Sequence, residues 1–162
     1  PGTPGSIAVR APDPVMFLEY WRNPEATARK FRGDWLLTGD LGVCDADGYF
    51  WFHGRDDDVI ISAGYRIGPD EVEGCIAGHP AVSMVAVIGV PDALRGEVVK
   101  AFIVVRPEHE PGPALAADIQ GYVKTRLSGH EYPRAIEFLD ALPMTITGKI
   151  MRRELRNLPP TV

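Results

Sequence analysis

Residues 59–77 read VIISAGYRIGPDEVEGCIA, and this stretch carries the strongest fold signal in the chain. Its first residues, Val59-Ile60-Ile61, form a short apolar run that is typical of a strand. Its last residues, Pro69 to Ala77, begin with proline and place Val72 and Ile76 on one helical face. The stretch therefore predicts a strand that leads into an amphipathic helix.

Strands and helices continue to alternate after this stretch. The predicted elements are strands at Ala81–Val90, Val98–Val105 and Ala135–Leu139, a helix at Ala114–Ser128, a polar loop at Pro143–Lys149 and a basic helix at Met151–Leu158. Apolar residues recur at helical spacing from Leu115 to Leu127, so this helix should cover the sheet. We therefore predict an α+β domain in which helices cover a short mixed sheet that includes a hairpin.

The residues before Val59 have a different pattern and predict a second unit. The predicted elements are a strand at Ser6–Arg10, a helix that starts at Asn23-Pro24-Glu25 and continues through Ala26–Phe31, a strand at Trp35–Thr38, and a hairpin of Leu41–Cys44 with Tyr49–His53. Because Pro12 and Pro14 follow the first strand, we expect its partner sheet to lie outside this chain. We place the boundary between the units near Arg55 to Asp58.

Composition excludes several classes of protein. At 162 residues, the chain can hold one domain, or a small domain and part of another. The 22 acidic residues against 17 Lys and Arg give a net charge of -5, which argues against a nucleic-acid-binding role. No apolar run reaches the roughly 20 residues that span a bilayer. We expect a protein without a membrane span, in the cytoplasm or, for a eukaryotic source, the mitochondrial matrix.

Cysteine and histidine spacing gives no support for a metal site. Cys44 and Cys75 lie far apart, without a Cys-x-x-Cys pair, and the four histidines are equally scattered. We expect both cysteines to be small buried apolar residues and assign no protein-bound metal.

The first motif with chemical content joins Thr38-Gly39-Asp40 to the segment Gly54-Arg55-Asp56-Asp57-Asp58, which begins fifteen residues after Gly39. An aspartate after a glycine can accept hydrogen bonds from both hydroxyls of a ribose, and an arginine across the hairpin can donate to the same sugar. A simple turn is the alternative, because Gly and Asp are common in turns for local reasons.

The second motif is the segment from Ser62 to Glu73. Gly64 would let a thin ligand pass close to the backbone, and Arg66 could bind a phosphate on that ligand. A tight strand-to-helix turn with a solvated arginine is the alternative.

The third motif is the polar loop that carries Lys149, within the segment Pro143 to Leu155. A lysine on a loop next to a glycine, here Gly148, can be delivered to a phosphate as a mobile positive charge. A lysine that only aids solubility is the alternative. A phosphate-binding P-loop is excluded, because the glycine spacing and the Ser or Thr after the lysine are missing.

Together and in this order, the motifs resemble the adenylate-forming family of acyl-CoA synthetases, peptide-synthetase adenylation domains and firefly-type luciferases. The resemblance extends from about Gly5 to Leu158 and is strongest to acetyl and medium-chain acyl-CoA synthetases, through Gly54–Glu73, Pro91–Phe102 and Tyr132-Pro133. It implies that residues 57–162 form the small C-terminal lid domain of that family. Residues 1–56 would then be the tail of the β-subdomain of a large N-terminal AMP-binding domain.

The resemblance also implies roles for single residues. Asp40, Arg55 and Lys149 would bind ATP or AMP, Lys149 would be the catalytic residue, Asp57 would be the hinge, and the coenzyme A site would consist of Ala63, Gly64, Tyr65, Arg66, Arg95, Lys124 and Tyr132. Two positions depart from the family. Ile61 stands where many members have lysine and some have asparagine, and Lys124 stands where several have arginine.

The implied reaction converts a small-molecule carboxylic acid, ATP and coenzyme A into acyl-CoA, AMP and diphosphate through an acyl-AMP. Mg²⁺ would accompany ATP, with its ligands in the N-terminal AMP-binding domain, which we expect to be the partner of this chain. The chain lacks a starting Met, so we expect a fragment that is inactive alone. A protein lysine acetyltransferase acting on Lys149 is a further expected partner.

Two other functions remain open from the sequence. A peptide-synthetase adenylation domain would perform the same activation but load a carrier protein instead of free coenzyme A. A non-catalytic binding or regulatory module would perform neither step.

Overall fold

A computed structural model describes residues 1–159, apart from the side chain of His53. The chain divides into two units, Pro1–Asp57 and Asp58–Val162. Asp57 thus groups with the first unit, one residue later than the sequence-based boundary.

The first unit is organised around one long strand. Its elements are β1 (Pro4–Arg10), α1 (Pro24–Arg29), β2 (Phe31–Arg32), β3 (Trp35–Cys44) and β4 (Phe50–Arg55). β3 pairs antiparallel with β1 along one edge and with β2 and β4 along the other. The two predicted segments at 35–38 and 41–44 are therefore parts of one strand.

The pairing of β1 corrects the sequence-based expectation. Its partner lies in this chain, because Ser6 pairs with Leu41 and Arg10 pairs with Trp35. The intervening residues include α1, whose cap was predicted correctly, since the Asn23 side chain accepts a hydrogen bond from the Ala26 amide at 3.0 Å. Strands so far apart in sequence carry no local signal of their pairing.

The predicted hairpin of β3 and β4 is confirmed, and Asp45 organises its turn. The Asp45 carboxylate accepts hydrogen bonds from the amides of Asp47 and Tyr49 at 3.0 and 2.9 Å. Its other oxygen accepts one from Trp51 Nε1 at 2.8 Å. Gly48 has a φ of 86°, which a residue without Cβ adopts readily. These contacts fix the register of the strand ends next to the turn, and a register shift between Gly42 and Asp40 then places Arg55 opposite Asp40.

The second unit is a mixed sheet with helices. Its elements are β5 (Ile60–Ser62), β6 (Tyr65–Ile67), α2 (Pro69–Ala77), β7 (Val82–Asp92), β8 (Gly96–Val105), α3 (Pro113–Lys124), β9 (Ala135–Phe138) and α4 (Arg152–Arg156). The strand order is β6-β5-β8-β7, and β9 runs parallel to β8 while the other pairs are antiparallel. The predicted α+β class with a short mixed sheet is confirmed.

Two apolar clusters lie on the two faces of this sheet. The first contains Val72 and Ile76 of α2 and Ile119 and Val123 of α3, each 0% exposed. The second contains Ala86, Ile88 and Phe102 of the sheet with Leu142 and Leu155. Because alternate residues of a strand face opposite sides, β7 contributes to both clusters. The Lys149 loop and α4 thus belong to the face opposite α2 and α3.

Candidate functional site

In the first unit, one guanidinium connects two candidate carboxylates. Arg55 and Asp40 are cross-strand partners, and Arg55 Nη1 lies 3.1 Å from Asp40 Oδ1. Arg55 also donates to Asp57, from Nε to Oδ1 at 2.8 Å and from Nη2 to Oδ2 at 3.2 Å. The hydrogen bonds from Arg55 hold the pKa of the Asp57 carboxyl below its ordinary value. The structure therefore brings together three of the predicted site residues.

A second cation, which sequence reasoning missed, lies beside this group. Lys30 Nζ donates to the Thr38 carbonyl at 3.2 Å. A Cβ added to Gly39 would lie 3.2 Å from both Lys30 Nζ and Arg55 Nη2. Gly39 also has a φ of 88°, so a side chain there would be strained as well as crowded. A cavity of about 340 Å³ is lined in part by Tyr20, Lys30, Gly39 and Asp56.

In the second unit, β5 and β6 form a tight hairpin that the sequence did not predict. Its two turn residues, Ala63 and Gly64, have φ values of 51° and 85°. Positive φ at both central residues defines the two-residue turn that suits a twisted hairpin. The Ala63 amide donates to the Arg95 carbonyl at 2.9 Å, so this turn adjoins the β7–β8 turn. Apart from its two chain neighbours, no residue among 1–159 has an atom within 4 Å of a Cβ added to Gly64.

Three further coenzyme A candidates, Tyr65, Lys124 and Tyr132, take part in contacts of aromatic rings. Tyr65 stacks on His130, with ring centroids 4.1 Å apart and an interplanar angle of 16°. Lys124 Nζ lies 4.2 Å from the centroid of the Tyr132 ring, and Arg134 donates to the Tyr132 hydroxyl at 2.9 Å. The stack joins the β5–β6 hairpin to the loop that leads to Tyr132. His130 and Arg134 are site candidates that the sequence analysis did not single out.

Arg66 and Arg95 lie on two further elements, β6 and the β7–β8 turn. Arg66 is exposed on β6, opposite Ile61 of β5, and Ile61 is 51% exposed. Arg95 is half-buried, and its amide donates to Asp92 Oδ1 at 2.9 Å. The hydrogen bonds from the amides of Arg95 and Leu94 hold the pKa of Asp92 below its ordinary value. A backbone network thus fixes the turn that carries Arg95.

Lys149 is exposed on a loop whose backbone is well connected. The Lys149 amide donates to Thr145 Oγ1 at 3.0 Å, and its carbonyl accepts from the Thr145 amide at 2.8 Å. Gly148, at a φ of 81°, closes the turn by donating to the Thr145 carbonyl at 2.9 Å. Met144 and Ile150 pair at the base of the loop and pack on the second apolar cluster. The loop presents an ammonium group on a fixed base.

Residues 1–159 contain neither a cluster of metal ligands nor a helix suited to a membrane. In that range, His, Cys, Asp and Glu side chains form no group of three or more that could hold a metal ion. None of the helices in that range has the length and apolar character needed to cross a membrane. Cys44 and Cys75 are free thiols, and both are half-buried rather than buried as expected.

The sequence of this chain matches known proteins closely. The family model for the C-terminal domain of AMP-binding enzymes matches residues 71–149, a range that ends at Lys149. The chain is 52% identical over 163 aligned residues to the mitochondrial acyl-coenzyme A synthetase ACSM5 of Mus musculus, and the match covers 97% of the chain. The chain belongs to the AMP-binding, adenylate-forming enzyme family. The resemblance inferred from its motifs is confirmed.

Solved structures of AMP-binding enzymes share this fold. The ATP-bound RpMatB-BxBclM chimera B1 matches with a TM-score of 0.86 at 40% identity, over 96% of this chain and 31% of that one. The anthranilate CoA ligase AuaEII, in complex with anthranoyl-AMP, matches with a TM-score of 0.82 at 42% identity, over 96% and 30%. Members of the family thus bind ATP and acyl-adenylates.

This chain spans only part of its adenylate-forming relatives. It covers 28% of the length of the mouse synthetase.

Proposed function

We propose that this chain supplies the catalytic lysine and the coenzyme A site of an ATP-dependent acyl-CoA synthetase. The observation that carries the proposal is the exposed Lys149 on its fixed loop, in a chain 52% identical to such a synthetase. In this proposal, residues 1–56 complete an N-terminal AMP-binding domain and residues 57–162 form the mobile lid.

An exposed aromatic strand supports a partner domain for the first unit. Phe50, Trp51 and Phe52 of β4 are 72%, 63% and 62% exposed. Adjacent aromatic side chains that are all exposed mark a surface that another protein surface covers. We propose that the remainder of the AMP-binding domain covers them. The ligands of the Mg²⁺ that accompanies ATP would lie in that domain.

The first half-reaction forms acyl-AMP. A carboxylate oxygen of the acid attacks the α-phosphorus of ATP, and the bond to the diphosphate leaving group breaks. Lys149 would stabilise the negative charge on the phosphate oxygens during this step. Asp40 and Arg55 would hold the ribose. Because they lie 3.1 Å apart, the Asp40 carboxylate offers the sugar an acceptor directly beside the donor of Arg55. Removing such a preorganised positive charge typically slows catalysis about 10² to 10³-fold.

The second half-reaction transfers the acyl group. The coenzyme A thiolate attacks the acyl carbon, and AMP leaves with the electron pair of the broken carbon–oxygen bond. Rotation of the lid about Asp57 would withdraw Lys149 and bring the Ala63-Gly64 turn to the acyl-adenylate. The open space at Gly64 suits the thin pantetheine arm of coenzyme A.

Basic side chains favour free coenzyme A over a carrier protein as the acceptor. Lys124 and Arg134 both lie at the Tyr132 ring, 4.2 and 4.9 Å from its centroid. With Arg66 and Arg95, they would bind the nucleotide phosphates that free coenzyme A carries and a carrier-bound arm lacks. A cytoplasmic or mitochondrial location and acetylation of Lys149 stay predictions.

The test separates the two half-reactions in the full-length enzyme that carries this segment. Lys149→Ala should abolish acyl-AMP formation, measured by pyrophosphate exchange, while acyl transfer from pre-made acyl-AMP to coenzyme A continues. Lys149→Arg, which keeps the charge but not its compact shape, should retain a fraction of the first activity. An equal loss of both half-reactions would contradict the proposal. The isolated chain should form no acyl-CoA.

A further inference from the structure

The short helix α4 follows the Lys149 loop and is too short to be stable alone. It has five residues, Arg152–Arg156, and its buried side chain is Leu155. Isolated helices of this length do not persist in water, so tertiary contacts must hold α4 in place. Leu155 provides an apolar contact, and the two arginines at the ends of the helix provide the polar ones.

Arg152 makes the most extensive of these contacts. Its Nη2 lies 2.8 and 2.9 Å from the two carboxylate oxygens of Glu73 and 3.3 Å from Asp70 Oδ1. Its Nη1 lies 3.4 Å from Asp58 Oδ2, and Arg156 Nη2 lies 2.9 Å from Asp58 Oδ1. The side chains of Arg152, Glu73 and Asp58 are 19%, 17% and 12% exposed. Solvent therefore screens these pairs much less than it screens surface ion pairs.

The carboxylates that Arg152 binds are themselves fixed to the sheet. Glu73 Oε1 also accepts a hydrogen bond from the Val87 amide of β7 at 2.8 Å. Arg152 therefore connects α4 to α2 and, through Glu73, to the edge strand β7. Only two residues separate it from Lys149, so a shift of α4 would move the base of the lysine loop.

Asp58 gives the cluster a second connection. It is the first residue of the second unit and follows the proposed hinge, Asp57, directly. Its carboxylate is bound by both Arg152 and Arg156, which lie 94 and 98 residues further along the chain. The helix beside Lys149 and the first residue after the hinge are thus held by the same ion pairs.

We propose that Arg152 is a positioning residue for Lys149, which fixes the lysine loop relative to the residue that follows the hinge. When the lid rotates, this connection lets the rotation place the ammonium group reproducibly at the phosphate. This inference rests on the proposed function, because it assigns Arg152 an effect only on the step that uses Lys149. Arginine suits the role because its planar fork directs Nη2 to Glu73 and Nη1 to Asp58 at the same time, which the single nitrogen of an ammonium cannot do with the same geometry.

The test uses Arg152→Lys in the full-length enzyme, which keeps the charge and removes the fork. A misplacement of about 1 Å can slow catalysis about 10²-fold. We therefore expect pyrophosphate exchange to fall by about 10- to 100-fold, while acyl transfer from pre-made acyl-AMP stays within about twofold. Arg153→Lys is the matched control, because Arg153 is the exposed neighbour on the same helix, and it should leave both rates unchanged.

A general loss of folding would lower both half-reactions, so the split distinguishes positioning from stability. An equal fall in both rates, or an unchanged rate of pyrophosphate exchange, would overturn the inference. If Arg152→Lys does not fold, Asp58→Asn takes its place and should produce the same split through the other end of the cluster. Lys149→Ala, assayed in parallel, tests the proposed function separately. If it abolishes exchange and the cluster variants do not slow it, only the positioning inference fails.

Discussion

Arg55 holds the carboxylate of Asp57 through both oxygens, with hydrogen bonds of 2.8 and 3.2 Å. The proposed ribose-binding arginine is therefore also the partner of the proposed hinge. The Asp57 side chain is 68% exposed, and ion pairs at such exposure contribute about 0 to 1 kcal/mol. A pair of this strength can bias the hinge toward one conformation without preventing rotation.

The first prediction concerns the backbone of that hinge. Proline at position 57 would fix φ near −65° and so exclude one of two conformations that differ in this angle. We predict that Asp57→Pro in the full-length enzyme retains pyrophosphate exchange and loses acyl transfer to coenzyme A. Both half-reactions are measured separately on the purified variant.

Asp57→Ala is the control, because it removes the pair with Arg55 but leaves the backbone free. It should support both half-reactions. Transfer at the normal rate in the proline variant would place the hinge at another residue, such as Asp56 or Asp58.

The second prediction concerns the coenzyme A phosphates. Arg95→Ala should raise the KM for coenzyme A by about tenfold or more, because losing a hydrogen bond to a charged group weakens binding by about that factor. The KM for ATP should stay nearly unchanged. The turn itself should persist, since it is the Arg95 carbonyl, not its side chain, that accepts the Ala63 amide. Steady-state kinetics with each substrate varied in turn measure the effect.

Arg126→Ala provides the matched control, because the Arg126 guanidinium lies over the Tyr122 ring at 3.5 Å, away from Tyr132. Its KM values should not change. Dephospho-coenzyme A tests which group is recognised. If replacing Arg66, Arg95 or Lys124 weakens the binding of coenzyme A and of dephospho-coenzyme A equally in every case, none of these residues binds the 3′-phosphate.

Local sequence signals predicted the elements best. The bounds of α2 agree with prediction because proline at its start and the spacing of Val72 and Ile76 are local features. The β5–β6 hairpin was missed because Ala63 occupies a left-handed conformation that alanine rarely adopts. The end of α3 was placed four residues too late, at Ser128, because the half-buried Leu127 continues the apolar pattern beyond the helix.

Contacts between distant residues could not be predicted. Arg152 binds Glu73 and Asp58 across 79 and 94 residues, and the sequence indicated only a basic helix there. Lys30 and Arg55 both lie next to Gly39, which depends on the pairing of β3 with β4 and on the register shift within it. The motif residues themselves were found because their spacing resembles that of a known family, and their roles remain proposals.

The third prediction exploits the β5–β6 turn. A left-handed conformation costs a residue with Cβ about 1 kcal/mol, so Ala63→Gly should stabilise the fold and Gly64→Ala should destabilise it, each by about that amount. In the described part of the chain, no residue other than its two neighbours comes within 4 Å of a Cβ at Gly64, so backbone strain accounts for the loss. Urea unfolding of both variants measures the change. Destabilisation by both would contradict the assigned turn geometry.

The fourth prediction concerns the protonation of Glu73. Burial raises the pKa of its carboxyl above the ordinary 4.5, although the Val87 amide and Arg152 act in the opposite direction. By contrast, the pKa of Asp57 lies below 3.8, because Arg55 binds its carboxylate. Carbon-13 NMR titration should therefore find the Glu73 carboxyl titrating above 4.5 and the Asp57 carboxyl below 3.8.

Replacing Arg152 should raise the pKa of Glu73 further, which changes how the free energy of unfolding depends on pH. A folded-state pKa above the unfolded value means that the folded protein binds the proton more tightly. The free energy of unfolding therefore falls as pH rises through the interval between the unfolded-state and the folded-state pKa. Arg152→Met removes the charge that lowers the Glu73 pKa, so the interval should extend to higher pH. The stability lost by this variant should then grow from pH 4.5 upward, as the Glu73 carboxyl ionises without its partner. Unfolding curves of the variant and the parent protein over this range measure it. A loss of stability independent of pH would show that Arg152 contributes only packing.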